Sequence, residues 1–484
     1  MSQTITFVTA FLDLSEDRSK DKSFDKCFSL FQTVVDSGIK ICLFVSSTFY
    51  ERALEISKKN KNIYLMPVTE LSDLWTYRIT KMISDITLPE EKLSHHDTFN
   101  FMVLMNAKIE FVSKAIEVNP FQTNHFAWID FSIGHVLHSP NSLKRLYTHS
   151  ISALRDKMLA FPVCWSKAYL DKQYNNLYSK VLWRFCGGFF IGDKDSLLEF
   201  NDAYRKNYFN FLNERKRLVW EVNFWCWLEK NKYIFPESYL ANHNDSIIQI
   251  PSKYLKTVVC LTAIPPRFER CKKTIYSLLN QADHIYLSTS KYYVRFGYST
   301  LPDFSSEKEF EGRVSVIEST DFGPATKYLG ALTKIPDNYW VIFCDDDQIY
   351  RSDMIKRMKD SICEIGSYQN CYNSVRSGSG GIIHGYVGNM FYRGLLNRLS
   401  FFDLPFCARF VDDQWMSLYC FYNKIQIFPT SIQNYYDLLA VLQNGYEQIG
   451  EAPLAALGNR DEKVAELAKY FRVVFKPEGV IERV

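Results

Sequence analysis

The sequence of 484 residues lacks the features that would place it in a specialised class. It has no run of about 18 apolar residues, so we expect no membrane-spanning helix. The N-terminus has neither a basic segment nor a long apolar core, and no signal peptide is expected. The net charge of +3 gives no reason to expect binding to nucleic acid or to a membrane surface. These absences favour an ordinary globular protein in a cytoplasmic setting.

The cysteines are not spaced as ligands of a structural zinc ion. The twelve cysteines form no CxxC pair and no zinc-like spacing with histidine. Buried free thiols indicate a reducing compartment. Many of the cysteines lie within apolar runs, where cysteine behaves as a small buried apolar residue: Cys42, Cys164, Cys260, Cys344 and Cys420.

The chain begins twice with the same order of predicted elements. Apolar, β-branched runs predict a first strand in each half, at residues 4–12 and 256–264. A helical pattern and a second strand follow in both halves. Strands that alternate with helices predict an α/β fold with a mostly parallel sheet. The polar, proline-punctuated stretch 242–252 predicts a linker, so we expect two domains, residues 1–250 and 251–484.

Three consecutive carboxylates, Asp345, Asp346 and Asp347, follow the apolar run 339–344. Charge at the end of a buried strand is unfavourable unless something neutralises it. A hard divalent cation prefers carboxylate oxygens and leaves coordination positions open for phosphate. The pattern therefore indicates an enzyme that uses a nucleotide-sugar. The alternative is an acidic turn before a helix that begins near Ser352.

A candidate phosphate site precedes this strand. Gly323 and Pro324 predict a turn, and a helix is predicted to follow as far as Thr333. The amides at the start of that helix could hold a diphosphate, and Lys327 would add positive charge. The alternative is an ordinary helix start with an exposed lysine. The aspartates on the next strand favour the phosphate site.

Residues 257–430 resemble inverting glycosyltransferases with the GT-A fold, which has a Rossmann-like, mostly parallel sheet. The resemblance implies a DxD motif whose ends, Asp345 and Asp347, bind Mn²⁺ or Mg²⁺ on a UDP- or GDP-linked sugar, with Asp345 and Asp346 near the nucleotide. It also makes Thr262, Asp321 and Lys327 candidate contacts of the donor. The motifs that carry it are VVCLTAIPPR at 258–267, DFGPATKYLGAL at 321–332, CDDDQIY at 344–350 and VDDQW at 411–415.

The same resemblance implies a general base within residues 410–415. An acceptor hydroxyl loses a proton as it attacks the anomeric carbon, and Asp413, or else Asp412, would take it. The alternative is that these two residues cap a helix beginning at Gln414. The glycine-rich segment between the two acidic motifs would line the sugar and the acceptor, with Gly380, Gly381 and His384 as candidate contacts.

Residues 1–250 resemble the HtrL/YibB (WlaTC) family, a glycosyltransferase-like group. Within them, the apolar run 126–129 ends at Asp130 and repeats the pattern of the second half with fewer acids. A full DxD motif is missing because position 132 is Ser132. His243 is a candidate additional metal ligand beside Asp130. The resemblance is carried by TFVTAFLDL at 6–14, MNAKIEFVSKAIEVNPFQTNHFAWIDFSIGH at 105–135, RFCGGFFIGDKDSL at 184–197 and WEVNFWCWLEKN at 220–231.

Glu221 opens a helical pattern at the place where the second half has its paired aspartates. It is either a catalytic acid/base or acceptor contact, or a surface glutamate favoured by the helix dipole. The other candidates of the first half are backbone or side-chain contacts of the donor: Thr9, Asn106 and Lys108 for the nucleotide, and Gly187 and Gly188 for the sugar.

We therefore expect a tandem, bifunctional glycosyltransferase whose partners are a nucleotide-sugar donor and a glycan or glycosylated acceptor. One alternative is an active second half with a first half that only binds the acceptor. A sugar nucleotidyltransferase is less favoured, because no glycine-rich basic loop follows either first strand.

Overall fold

The computed structural model describes residues 2–14, 24–89, 91, 97–137, 139–365, 367–373, 381–430, 459–477 and 479–484. The chain forms two compact units, which meet in sequence between Ile250 and Pro251. Each unit has its own apolar core around one seven-stranded sheet. Within the described ranges, no helix combines the length and the apolarity needed to cross a bilayer. The cysteines whose side chains the structure describes are free thiols.

The first unit is built on a mixed sheet with strand order β3-β2-β1-β4-β6-β5-β7. In this sheet β6 is antiparallel to both of its neighbours, and the other pairs are parallel. The strands are β1 (Ile5–Phe11), β2 (Lys40–Val45), β3 (Ile63–Leu65), β4 (His125–Ile129), β5 (Leu159–Val163), β6 (Phe189–Asp193) and β7 (Glu237–Leu240).

Helices cover this first sheet. On the helix that begins at Lys108, the apolar residues Ile109, Val112 and Ile116 recur at helical spacing and are buried in the core. The helices are α1 (Phe24–Val35), α2 (Tyr50–Lys59), α3 (Trp75–Lys81), α4 (Phe99–Asn106), α5 (Lys108–Val118), α6 (Pro140–Ile151), α7 (Lys167–Gln173), α8 (Lys194–Arg215) and α9 (Glu221–Lys230).

The second unit contains a seven-stranded sheet with the order β12-β9-β8-β13-β15-β14-β16, and two hairpins. Its strands are β8 (Thr257–Thr262), β9 (His284–Thr289), β10 (Tyr292–Tyr293), β11 (Gly297–Tyr298), β12 (Val314–Glu318), β13 (Trp340–Phe343), β14 (Asn370–Asn373), β15 (Asn389–Tyr392), β16 (Gln426–Pro429), β17 (Val473–Phe475) and β18 (Ile481–Arg483). Its helices are α10 (Phe268–Leu279), α11 (Thr326–Leu329), α12 (Met354–Ile365), α13 (Asp412–Tyr422) and α14 (Arg460–Phe471).

The two seven-stranded sheets have the same order, strand for strand. In the second sheet β15 is the antiparallel strand, as β6 is in the first. Strands β4 and β13 are counterparts that lie beside the first strand of their unit. The predicted fold class, two α/β units with mostly parallel sheets, is confirmed. In open α/β sheets, ligands bind outside the carboxyl ends of such strands.

One helix is shorter than predicted. Helix α11 ends at Leu329 instead of Thr333, and a short 3₁₀ turn follows at Leu332–Lys334. Gly330 comes directly after α11 and packs closely against β9, where a methyl group would overlap Ser288. The missing side chain of Gly330 therefore permits the close approach of the chain to the sheet just after the helix.

Because each unit has a core of its own, we expect residues 1–250 and residues 251–484 to fold when expressed separately. Each fragment should unfold in one cooperative thermal transition and show the α/β circular dichroism spectrum expected from its elements. Fragments that melt without a cooperative transition would contradict this expectation.

Candidate active sites

A buried lysine lies at the centre of the first candidate site. Lys108 is the first residue of α5 and is 1% exposed. Its Nζ lies 3.0 Å from Asp130 Oδ1 and 2.9 Å from Glu221 Oε1, and it donates to the backbone oxygen of Gly187 at 2.9 Å. Burial alone would lower the pKa of Lys108, but the two carboxylates outweigh it and the pKa is raised. Lys108 is therefore a permanent cation between two acids.

The two acids come from separate elements. Asp130 follows β4 directly, and its Oδ1 also accepts a hydrogen bond from Trp128 Nε1 at 2.7 Å. Glu221 is the first residue of α9 and is 5% exposed, which excludes the role of a surface glutamate. Gly187 approaches this acid so closely that a methyl group would overlap Glu221 Oε1. The lysine thus joins the end of a central strand to the start of a helix.

The second unit contains the same arrangement. Lys327, in α11, is 2% exposed, and its Nζ lies 2.6 Å from Asp345 Oδ1 and 3.0 Å from Asp412 Oδ2. Burial acts to lower the pKa of Lys327, but the acids raise it well above its usual value. Gly385 lies close to the lysine, since a methyl group there would come within 2.8 Å of Lys327 Nζ.

The residues of the two sites occupy counterpart positions in the shared strand order. In each unit the lysine lies on the helix before the central strand, one acid follows that strand, and the other acid is the first residue of a later helix. The pairs are Lys108 and Lys327, Asp130 and Asp345, Glu221 and Asp412, and Gly187 and Gly385. The sequence predicts that both lysines contact the nucleotide, and this role stays a prediction. Their position one helix before an aspartate-bearing strand was the available signal for this pairing.

The second site also has a guanidinium between two aspartates. Arg267 Nη1 lies 2.9 Å from Asp346 Oδ1 and 3.1 Å from Asp347 Oδ2. Burial raises the pKa of Asp346 to about 7, and burial together with Asp345 raises the pKa of Asp347. Arg267 therefore offsets the charge of these carboxylates incompletely.

A metal ion at the second site would need oxygen ligands from a bound diphosphate in addition to those of the protein. In the part of the chain that the structure describes, no three His, Cys, Asp or Glu side chains are arranged to hold an ion. The ion pairs of the second site nevertheless join four carboxylates, those of Asp345, Asp346, Asp347 and Asp412, to two cations. Mg²⁺ is commonly held by one or two carboxylates together with substrate phosphates. The oxygen donors and the excess negative charge fit that kind of site.

Asp413 differs from its neighbour Asp412. It is partly buried, and its Oδ1 accepts a hydrogen bond from the backbone amide of Gly385 at 3.0 Å. Burial and the charge of Asp412 raise the pKa of Asp413 to about 7. Asp412 Oδ2 is within ion-pair distance of Lys327 but is buried without a hydrogen-bond partner among the residues that the structure describes. An acid with a pKa near neutrality is suited to accept a proton at neutral pH.

Neither aspartate caps the helix. Helix α13 begins at Asp412, two residues earlier than the predicted start at Gln414, and Val411 is its N-cap residue. Both acids therefore lie in the first turn, where the helix dipole favours negative charge. The capping alternative for this pair is wrong.

Two candidate donor contacts of the second unit are engaged within the protein. Asp321 Oδ1 accepts from the amide of Gly323 and its Oδ2 from the amide of Val294, both at 2.8 Å. Thr262 Oγ1 donates to the backbone oxygen of Ser288 at 2.8 Å. These contacts hold the loops at the edge of the sheet, and a role in binding the nucleotide stays a prediction.

Two candidates of the first unit lie in its interior. Asn106 is buried and donates through Nδ2 to the backbone oxygens of Met102 and Val219 at 2.9 Å and 2.8 Å. This contact ties α4 to the residue two positions before Glu221. Thr9, within β1, is fully buried, and its Oγ1 has no hydrogen-bond partner among the described residues. Their contact with a nucleotide stays a prediction.

The candidate metal and sugar contacts of the first unit lie near Asp130 or on the surface. A methyl group at Gly188 would lie 3.4 Å from Asp130 Oδ2, so this backbone borders the acid. His243 is exposed, and the centre of its ring lies 5.5 Å from that of His135. The role of His243 as a metal ligand stays a prediction.

The glycine-rich segment of the second unit is described from residue 381 onward, so Gly380 lies outside the described residues. Gly381 has a φ of 91°, and a methyl group there would lie 2.6 Å from the backbone oxygen of Gly479. His384 is partly buried, and Asn373 Nδ2 donates to its backbone oxygen at 3.1 Å. A contact of either residue with the sugar or the acceptor stays a prediction.

Replacing Lys108 by Met should strongly destabilise the first unit, because it leaves Asp130 and Glu221 without their buried cation. We expect a loss of about 3–5 kcal/mol in unfolding free energy, seen as faster hydrogen exchange of α5 and α9 amides. Adding Glu221→Gln should recover part of the loss. Lys180→Met removes the exposed pair with Glu91 and should cost less than about 1 kcal/mol. Equal effects of the two lysine changes would contradict the account.

The raised pKa of Asp413 predicts a pH-dependent effect of Asp413→Asn. A carboxyl with a higher pKa in the folded state makes the fold less stable as pH rises from about 4 to about 7. Asparagine cannot ionise but still accepts the Gly385 amide. At pH 8 we expect the melting temperature of the second unit to be higher in the variant, by about 2–4 °C for each kcal/mol of ionisation free energy that the change removes. The difference should vanish near pH 4, and a difference independent of pH would contradict the raised pKa.

Several solved structures are similar to this chain, at TM-scores below 0.3. TarS of S. aureus is 14% identical over 45% of this chain and 44% of its own, with a TM-score of 0.28. A mannosyltransferase from Pyrobaculum calidifontis, in complex with GDP-Man and Mn²⁺, is 16% identical over 47% and 79%, with a TM-score of 0.29. Mouse xyloside xylosyltransferase 1 is 6% identical over 56% and 91%, with a TM-score of 0.29. This chain thus spans less than half of the TarS chain.

No curated protein matches the sequence. Residues 3–217 match the model of a protein family described as "Bacterial protein of unknown function (HtrL_YibB)". The match lies within the first unit and confirms the family resemblance predicted for that part of the chain.

Proposed function

We propose that the protein is a tandem glycosyltransferase. Each half would transfer a sugar from a nucleoside-diphosphate sugar to a hydroxyl of a glycan or glycosylated acceptor. One observation carries the proposal: each unit holds a buried lysine between two carboxylates at the carboxyl edge of its own sheet, and the two sheets have the same strand order. That edge is where open α/β sheets bind their ligands.

In the second half, Asp345 and Asp347 are the proposed ligands of Mn²⁺ or Mg²⁺. The cation, when bound, would offset the charge of the leaving diphosphate. Asp345 already lies 2.6 Å from Lys327 Nζ, so the lysine fixes the direction of this carboxylate. Lys327 would therefore act on the donor through Asp345, and the direct phosphate contact expected from sequence stays a prediction.

Asp413 is the proposed general base of the second half. The amide of Gly385 holds one of its oxygens, and its pKa of about 7 lets it take a proton from the acceptor hydroxyl near neutral pH. Asp412, paired with Lys327, keeps negative charge beside Asp413 and so contributes to the raised pKa. The two aspartates thus have different tasks.

In the first half, Glu221 is the proposed acid/base and Asp130 the acid beside the donor. Lys108 holds both, as Lys327 holds their counterparts. The buried cation fixes the orientation of Glu221 Oε1 at the start of α9. The counterpart of Glu221 is Asp412, and Val222 stands at the position of Asp413, so Glu221 would have both tasks, as partner of the lysine and as acid/base.

One observation favours a first half that only binds the acceptor. Phe131, directly after Asp130, stacks on Phe11 and Phe31 with ring centres 4.4 Å apart. The chain therefore turns into the core after a single carboxylate, and residues 131–137, which follow it, contain no second acid. The two versions of the proposal differ in what the first site contributes to transfer.

Two variants of the full chain separate these versions. With a panel of UDP- and GDP-linked sugars and Mn²⁺, Asp345→Ala with Asp347→Ala should abolish transfer by the second half. Glu221→Gln should abolish transfer by the first half, since the amide cannot take a proton. Two active sites predict that each variant loses one product and keeps the other.

If the first half only binds the acceptor, the double aspartate variant should lose all transfer. Glu221→Gln should then raise the KM for the acceptor with little change in kcat. The exposed change Lys180→Met is a control for both variants. The proposal fails if both variants, folded as the wild type is, turn over every nucleotide-sugar at the wild-type rate.

A further inference from the structure

We propose that Arg267 competes with the divalent cation for the carboxylates of the second site. Its guanidinium holds Asp346 and Asp347 while the donor is absent, and it turns to the diphosphate when metal and donor bind. This inference rests on the proposed function, because it assumes a metal–diphosphate site at residues 345–347.

The guanidinium of Arg267 lies beside the carboxylates that we propose as the metal site. A single nitrogen of Arg267, Nη1, lies 2.9 Å from Asp346 Oδ1 and 3.1 Å from Asp347 Oδ2. Two carboxylates from consecutive residues thus converge on one cationic nitrogen. Thr274 Oγ1 lies 2.8 Å and 2.7 Å from the backbone oxygens of Asp346 and Gln348, which share its hydroxyl proton, and this contact holds the loop that carries the two carboxylates.

Arg267 and Lys327 are placed differently. Lys327 is 2% exposed and joins Asp345 to Asp412 in the interior. The Arg267 side chain is 12% exposed and lies at the end of the turn Pro265–Arg267, between β8 and α10. Displacing Arg267 therefore moves a side chain near the surface and leaves the buried lysine in place.

Competition follows from electrostatics. Adjacent carboxylates repel one another, and an arginine beside them reduces the repulsion when no metal is bound. A metal ion that enters must replace the contacts of Arg267 with Asp346 and Asp347. This competition lowers the affinity of the donor-free protein for the metal. A displaced guanidinium suits diphosphate oxygens, because its planar donors match phosphate. Metal and nucleotide should then bind with positive cooperativity, each raising the affinity of the other.

The test is a titration of the full chain with Mn²⁺, followed by electron paramagnetic resonance, with and without UDP. We expect Arg267→Gln to bind Mn²⁺ about tenfold more tightly than the wild type without UDP, within the usual range of such couplings. The gain in Mn²⁺ affinity on adding UDP should be smaller in this variant than in the wild type. Arg267→Lys should lie between the two, because an ammonium is a single point charge.

Arg357→Gln is the matched control. It removes the same charge from the exposed face of α12, where Arg357 pairs with Asp353 at 2.8 Å. We expect it to leave both Mn²⁺ affinities at the wild-type values. Circular dichroism and melting temperature establish that each variant is folded. If Arg267→Gln does not fold, Arg267→Lys alone must show the tighter binding without UDP.

Arg267→Gln with no gain in Mn²⁺ affinity, or with an unchanged effect of UDP, overturns the inference. Asp345→Ala with Asp347→Ala separates that result from a failure of the proposed function. If this double variant loses Mn²⁺ binding while Arg267→Gln has no effect, the metal site stands and the role of Arg267 is wrong. If the double variant binds Mn²⁺ as the wild type does, the proposed metal site is itself wrong.

Discussion

A buried ammonium group between two carboxylates is the interaction on which both candidate sites depend. An acid at the end of a central strand and an acid at the start of a helix would repel each other without it. Lys108 and Lys327 supply the compensating charge, and both stay protonated because their acids outweigh the effect of burial. The lysine fixes where each acid points. The two units differ in sequence, but each has a buried lysine paired with two acids. They also have the same strand order, which brings these residues together.

The two candidate sites differ in the number of carboxylates that follow the central strand. In the first, one carboxylate follows the central strand, and Phe131 then turns into an aromatic cluster. In the second, three aspartates follow the counterpart strand, and Arg267 meets two of them. The second site therefore has carboxylate oxygens that a metal ion could bind. In the first site, Lys108 pairs with both Asp130 and Glu221 and offsets their charge. Two sheets with the same strand order thus carry sites that differ in charge.

Local patterns predicted much of the fold. The apolar run before Asp345 contains β13, and the runs at 4–12 and 256–264 contain β1 and β8 as expected, because buried strands are marked by their own sequence. The lysine contacts escaped prediction because their partners are distant: Lys108 and Glu221 are 113 positions apart. The contact of Arg267 with Asp346 spans 79 positions. Periodicity identifies elements, but the pairing of charges depends on how the sheet brings its loops together.

The central claim is that both lysine-centred sites receive a nucleotide-sugar at the carboxyl edge of their sheets. A crystal structure of the full chain with UDP and Mn²⁺, with anomalous scattering to locate the metal, tests it most directly. The account predicts a nucleotide at that edge in both units and manganese beside Asp345 and Asp347. Nucleotide bound away from both edges, with no manganese beside these aspartates, would contradict it.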